Sequence, residues 1–179
     1  LNVTTQIQQR WNFCASATVS MMLASRGKIV DQFTLAREMG TYEPFGTHNR
    51  DAIRILNKHM FGYEFPQTNQ AGYRIETVRE INSASIELFK QRLIKNTQDG
   101  YPMYYTFNPG KIYPGIANAE HNVAGAGYIA TPDNKDVALV YYVDPYYKFQ
   151  DPIYGGLKVV TPEELLNAMV GVSEPDYAW

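Results

Sequence analysis

The sequence predicts an α+β fold in a single domain over residues 1–179, with a helical half over about 1–100 and an antiparallel sheet half over about 101–179. Three observations carry this prediction. Before residue 100, apolar residues recur at helical spacing and each run stops at a glycine. After Gly100 the chain changes to β-rich runs separated by turn residues. A length of 179 residues, 45% hydrophobic and 19% charged, suffices for one sizeable core. Helices followed by strands is the α+β order, and the cleft between the halves is the natural place for chemistry.

The elements follow in order. Residues 14–26 read as a helix stopped by Gly27, with Arg26 in its last turn. DQFTLAREMG reads as a short helix from near Asp31 to Gly40. NRDAIRILNKHMFG places Ile53, Leu56 and Met60 on one stripe and stops at Gly62. SASIELFKQRLIKNTQDG does the same with Ile86, Phe89 and Leu93, with Ser85 as the expected N-cap and Asp99-Gly100 as a turn. Strands are expected in YPMYYTF, EHNVAGAGYIAT, VALVYYVD and GGLKVV, the second and third joined by the hairpin loop TPDNKD. TPEELLNAM closes the pattern as a helix with Thr161 at N-cap, Pro162 at N1 and Glu164 completing a capping box.

Composition excludes several classes. Net charge is −2, and lysines and arginines are scattered, so no nucleic-acid surface is expected. VALVYYV is far too short to span a membrane. LNVTTQIQQRW has neither the basic start nor the apolar centre of a signal peptide, and the absence of an initial Met suggests a mature or trimmed product. One cysteine and three widely spaced histidines provide no metal-ligand cluster, and PDNKD lacks oxygen ligands where a calcium loop needs them. No phosphate-binding glycine loop and no G-x-S-x-G elbow is present, so no metal or cofactor is expected.

The single cysteine, Cys14, heads a helix of small and apolar residues, Ala15 to Ala24, with no charge before Arg26. An uncharged helix of this kind is expected to be buried on most sides. Its N-terminal N–H groups and dipole favour a thiolate. Asn12 is a candidate cap. Gln8, six residues upstream, is placed to fold back and join the Cys14 N–H as an oxyanion donor, with Gln6 and Gln9 as competitors.

A thiol nucleophile needs a base. His48 and His59 have loop and charged-helix surroundings, whereas His121 opens a strand and can face a cleft from a rigid support. Across the TPDNKD hairpin, His121 at the start of one strand falls opposite Asp144 at the end of the next, where a carboxylate can fix the imidazole tautomer. Asn122 is the weaker third member, because its side chain alternates away from that of His121. Tyr104, Tyr105, Tyr146 and Tyr147 are candidate cleft residues.

This order of Gln8, Cys14 on a small-residue helix, His121 followed by Gly127-Tyr128, and Asp144-Pro145 resembles the papain-like cysteine peptidases. Among them it looks most like the double-glycine (bacteriocin-leader) peptidase domains and their stand-alone relatives, with further likeness in the GYP at Gly100–Pro102 and the late helix from Thr161. The resemblance implies a papain-like fold, Cys14 as nucleophile, His121 as base, Asp144 as its orienting acid and Gln8 in the oxyanion hole. It also implies a peptide or protein substrate and a bacterial, secreted or cell-surface setting. The family usually carries glycine after the cysteine and often an acid before it, where this chain has Ala15 and Phe13. Asn122 and Ala124 depart from the usual valine-rich run after the histidine. Staphopains share a Trp and a Cys close together, but normally use Asn as third member, and Asp144 argues against them. Other acyl transfer at the same site (deamidation, isopeptide cleavage, transamidation) and a non-catalytic peptide-binding module are the alternatives.

Overall fold

The computed structural model of the protein describes residues 1–179. Helix α1 spans Cys14–Ser25, and every residue from Ala15 to Leu23 is buried. Its N-cap is Phe13, with no side-chain cap, so Asn12 does not cap it. Packing holds the helix instead. Val19, Met21, Met22 and Leu23 are fully buried, each contributing about 1.5–3 kcal/mol relative to exposure, against about 1 kcal/mol for a good cap.

Helix α2, Gln32–Met39, is capped by Asp31 and ends on Gly40 in the left-handed conformation that favours glycine. Helix α3, Asn49–Phe61, buries Ile53, Leu56 and Met60, the stripe expected from spacing, and ends at Gly62. Strand β1, Ile75–Thr77, follows. Helix α4, Ser83–Asp99, buries Phe89 and Leu93. Its N-cap is Asn82 rather than Ser85. The Asn82 side chain accepts from the Ser85 N–H, and the Ser85 hydroxyl accepts from the Asn82 N–H, a reciprocal pair that starts the helix earlier.

The remaining elements are β2 (Met103–Phe107), β3 (His121–Ala130), β4 (Val137–Val143), β5 (Leu157–Val160), α5 (Pro162–Met169) and β6 (Asp176–Ala178). Thr161 caps α5 through the Glu164 N–H at 3.1 Å, with Pro162 at N1; the reciprocal Glu164 bond of a full capping box is not made. The strands form one antiparallel sheet in the order β1-β6-β2-β3-β4-β5. The short β1 and β6, three residues each, were beyond reach of any alternation signal.

Side-chain alternation divides the sheet between two cores. Tyr104, Ala124, Ala126 and Val143 face α1, α2 and α3. Met103, Tyr105, Phe107, Val123 and Tyr142 face α4 and α5. The helical half therefore does not all lie on one side of the sheet: α4 crosses to the opposite face. The small residues of β3 permit close layers, and a Cβ at Gly125 would collide with Met103 and the Tyr105 ring. The result for the site is simple. The N-terminus of α1 ends beside the start of β3, so residues 14 and 121 meet at the same end of the sheet. No helix is long and apolar enough to cross a membrane.

Candidate active site

Cys14 is the first residue of α1 and is partly exposed at the floor of a cleft of about 540 Å³. Gln8, Trp11, Phe45, His121, Asn122 and Phe149 are among its lining residues. The first N–H groups of a helix have no intrahelical acceptor, and the earliest such bond in α1 is Ala17 N–H to Phe13 O. The Cys14 N–H is thus available beside its own sulfur.

His121 and Asp144 come together as the hairpin spacing predicts. β3 pairs with β4 at Ala124↔Val143, and one step further along that register sets Asp144 beside Val123. Val123 and His121 share a face, so the carboxylate is the imidazole's diagonal neighbour. His121 Nε2 lies 2.6 Å from Asp144 Oδ1. With Nε2 occupied, Nδ1 remains for the thiol.

Asp144 is fully buried and every polar atom of it is held. Oδ1 also accepts the Tyr146 N–H at 2.9 Å, and Oδ2 accepts the Tyr113 hydroxyl at 2.7 Å. Its backbone N–H donates to Gly156 O at 2.9 Å and its carbonyl accepts from Gln150 Nε2 at 2.7 Å. Gly156 is required by close approach, since a Cβ there would run into the Asp144 backbone. Burial and then the Asp144 charge keep the Tyr113 hydroxyl protonated far above its ordinary range, so it stays a donor. Phe107, Tyr146 and Phe149 surround the imidazole edge-on, with centroids 6.1–6.3 Å away. Such a wall keeps water from the His–Asp bond and strengthens it.

The electrostatics favour an ion pair. Burial pushes the Cys14 thiol up, but hydrogen bonding and charge from His121, then hydrogen bonds from Asn122, outweigh it and hold the thiol below its ordinary value. Burial pushes His121 down; the charge and hydrogen bond of Asp144, followed by Cys14, outweigh it and raise the imidazole to about 10. A thiolate facing an imidazolium is the form that attacks carbonyl carbon.

Of the three upstream glutamines, only Gln8 lines the cleft with Cys14. Gln6 pairs its side chain with Gln32, and Gln9 uses its backbone N–H on the same residue. The Gln8 amide nitrogen donates to the carbonyls of Arg10 (3.1 Å) and Trp11 (3.0 Å), while Oε1 is buried without a partner. Its backbone N–H donates to Pro145 O at 2.9 Å, which ties the segment before α1 to the loop that follows Asp144.

Other expectations resolve as follows. His48 pairs with Glu174 at 2.7 Å and His59 with Glu38 at 2.9 Å, both away from the thiol. Tyr146 lines the cleft, but Tyr104 and Tyr105 are fully buried core residues and Tyr147 is exposed. Sequence reasoning missed Tyr113, which sits in a loop with no motif around it. It also set Asn122 aside, yet Asn122 Nδ2 donates to Cys14 Sγ at 3.2 Å. The alternation that turns Asn122 away from the His121 face turns it toward α1 and its cysteine.

The model of the Peptidase_C39-like family matches residues 1–163. The chain belongs to the Peptidase_C39-like family. This C39-like chain is a cysteine-type peptidase, and its fold is that of the papain-like cysteine peptidases. Among solved structures it is similar to a C39-like peptidase from Bacillus anthracis (17% identity, TM-score 0.61, covering 99% of this chain and 93% of that one). It is also similar to a double glycine motif protease from an AMS/PCAT transporter, solved in complex with the leader peptide (14% identity, TM-score 0.57, 99% and 89% covered). A third likeness is to the Amb a 11 cysteine protease, a ragweed pollen allergen, in its proform (14% identity, TM-score 0.54, 99% and 61% covered). No curated protein matches the chain.

Proposed function

We propose that this C39-like peptidase hydrolyses peptide bonds through Cys14, His121 and Asp144, with Gln8 and the Cys14 N–H as oxyanion donors. The single observation that carries the proposal is that one cleft holds the thiol at the head of α1 together with His121, whose Nε2 is bound to the buried Asp144 at 2.6 Å.

The Cys14 thiolate attacks the scissile carbonyl carbon, and the oxygen takes the negative charge. The Cys14 N–H faces that oxygen at once. Gln8 joins it by turning one amide N–H from the Arg10 or Trp11 carbonyl, both of which lie at the exposed rim. The imidazolium gives its proton to the leaving nitrogen, and the C–N bond breaks to a thioester and a free amine. His121 then takes a proton from water, the hydroxide adds to the thioester, and the acid leaves as the thiolate is regenerated with the imidazolium. Asp144 keeps accepting the Nε2–H throughout and so fixes the orientation of the imidazole. The substrate class is an extended peptide. A similar double-glycine protease was solved with a leader peptide, and the cleft here combines apolar walls (Trp11, Phe45, Phe149) with the polar groups of the reaction.

Iodoacetamide alkylation of Cys14 across pH tests the pair. Labelling is expected below about pH 7 and is expected to move up in His121→Ala; labelling that rises only near the free-thiol value of about 8.5 sinks the proposal. For the oxyanion hole, Gln8→Ala is expected to lower kcat on a peptide substrate by about 10²-fold. A loss no larger than that of Gln9→Ala removes Gln8 from the mechanism.

A further inference from the structure

We infer that Asn122 is a third partner of the nucleophile: its side-chain amide donates to the Cys14 thiolate and holds the sulfur in its reactive, ionised form. The inference rests on Cys14 being the nucleophile, as proposed above, and adds a residue to that site.

The geometry supports it in three steps. First, Asn122 lies on the face of β3 that α1 covers, together with Ala124 and Ala126, and the two alanines let the helix come close. Second, its Nδ2 is 3.2 Å from Sγ, within hydrogen-bond range for sulfur. Third, the amide is anchored from behind. Thr106, its direct partner in the β2–β3 register, donates its hydroxyl to Asn122 Oδ1 at 2.7 Å. Thr106 is 1% exposed and Asn122 5%, so neither group has bulk water as an alternative partner. With Oδ1 accepting the hydrogen bond of the threonine hydroxyl, the donor end of the amide is directed at the sulfur.

A hydroxyl–amide–sulfur chain whose hydroxyl and amide are buried has a clear chemical sense. A thiolate in a poorly hydrated site needs donors, and a neutral thiol needs none. The amide hydrogen bond favours the ionised form and acts in the same direction as the imidazolium. The two differ in their pH behaviour. His121 loses its proton at alkaline pH and with it its hold on the sulfur, whereas an amide does not titrate. Toward acid pH Asn122 therefore adds to the hold of the imidazolium on the thiolate, while His121 also supplies the proton the leaving group needs.

The test is the pH dependence of Cys14 alkylation in the wild type, Asn122→Ala, Asn122→Asp, Thr106→Val, His121→Ala and the Asn122→Ala/His121→Ala double variant. Asn122→Ala is expected to move the acid limb up by about one pH unit, a roughly tenfold loss of labelling rate on that limb. Asn122→Asp, which places an acceptor against the sulfur, is expected to move it further. Thr106→Val keeps the volume of Thr106 and leaves Asn122 in place, and is expected to move the limb less than Asn122→Ala. It supplies the answer if the Asn122 variants fail to fold. His121→Ala is expected to retain some lowering of the thiol that the double variant loses. An acid limb in Asn122→Ala or Thr106→Val that coincides with wild type overturns the inference. That outcome, with wild-type labelling still early, leaves the proposed Cys14–His121 pair intact, whereas late labelling in the wild type overturns the pair itself.

Discussion

The two banks of the cleft are built by different physics. On the helix bank, Cys14 is positioned by dry packing: Ala15, Ala17, Val19, Met21 and Met22 are buried, and no side chain caps the helix. On the sheet bank, His121 and Asp144 are positioned by polar bonds, with every polar atom of the acid engaged and aromatic rings around the base. The difference suits the roles proposed for the two groups. A nucleophile must sit at one point in space, which close packing ensures. A base must keep one tautomer and one orientation while its charge changes, which requires directional bonds.

Substitutions that break this contrast fall in a predicted order. The largest effect is expected at the proposed base. His121→Ala is expected to lower kcat/KM by about 10⁵-fold, measured on a peptide substrate, with the fold retained by circular dichroism. Next comes the acid. Asp144→Asn is expected to cost about 10³–10⁴-fold in kcat, because the amide presents a donor where Nε2–H needs an acceptor. If Asp144→Asn loses stability but not rate, the sheet bank is structural rather than catalytic.

The helix bank is expected to respond in stability first. Ala17→Leu inserts three carbons at a site with no exposure and is expected to cost about 1–3 kcal/mol in urea unfolding. Its alkylation pH profile should keep its wild-type shape, because no charge or hydrogen bond is touched. A similar loss of stability, about 1–3 kcal/mol, is expected at Tyr113→Phe, which removes the Oδ2 donor of Asp144, with no more than about tenfold in rate. The smallest shows in the pH profile of the wild type. With the thiol held low and the imidazole raised to about 10, the ion pair exists between those limits. Activity should rise as Cys14 ionises below the ordinary thiol range and fall only as His121 loses its proton near the alkaline limit. A plateau that ends near pH 7 would show that Asp144 does not support the imidazolium.

Much of the site was legible because its signals are local. The glycine stops of α2, α3 and α4, the uncharged run after Cys14, and the six-residue loop between β3 and β4 all depend on neighbours within a few turns or one hairpin. The His121–Asp144 pairing belongs to this class, since a two-strand register is a short-range property. The placement of Gln8, and not Gln6 or Gln9, along the cleft does not, because it depends on how the segment before α1 lies against α2, where Gln32 binds the Gln6 side chain and the Gln9 backbone N–H.

Sequence alone determined five helices and four of the six strands in order, the thiol at a helix start and the pairing of Asp144 with His121 across a hairpin. Tertiary structure decided what reaches that thiol from elsewhere in the chain. Asn122 and Cys14 are 108 residues apart, and Tyr113 and Asp144 are 31 apart. No periodicity or cap encodes such contacts. The first exists because α1 must bury an uncharged face against the small residues of β3, and that packing delivers one amide of the strand to the cysteine at the helix's end.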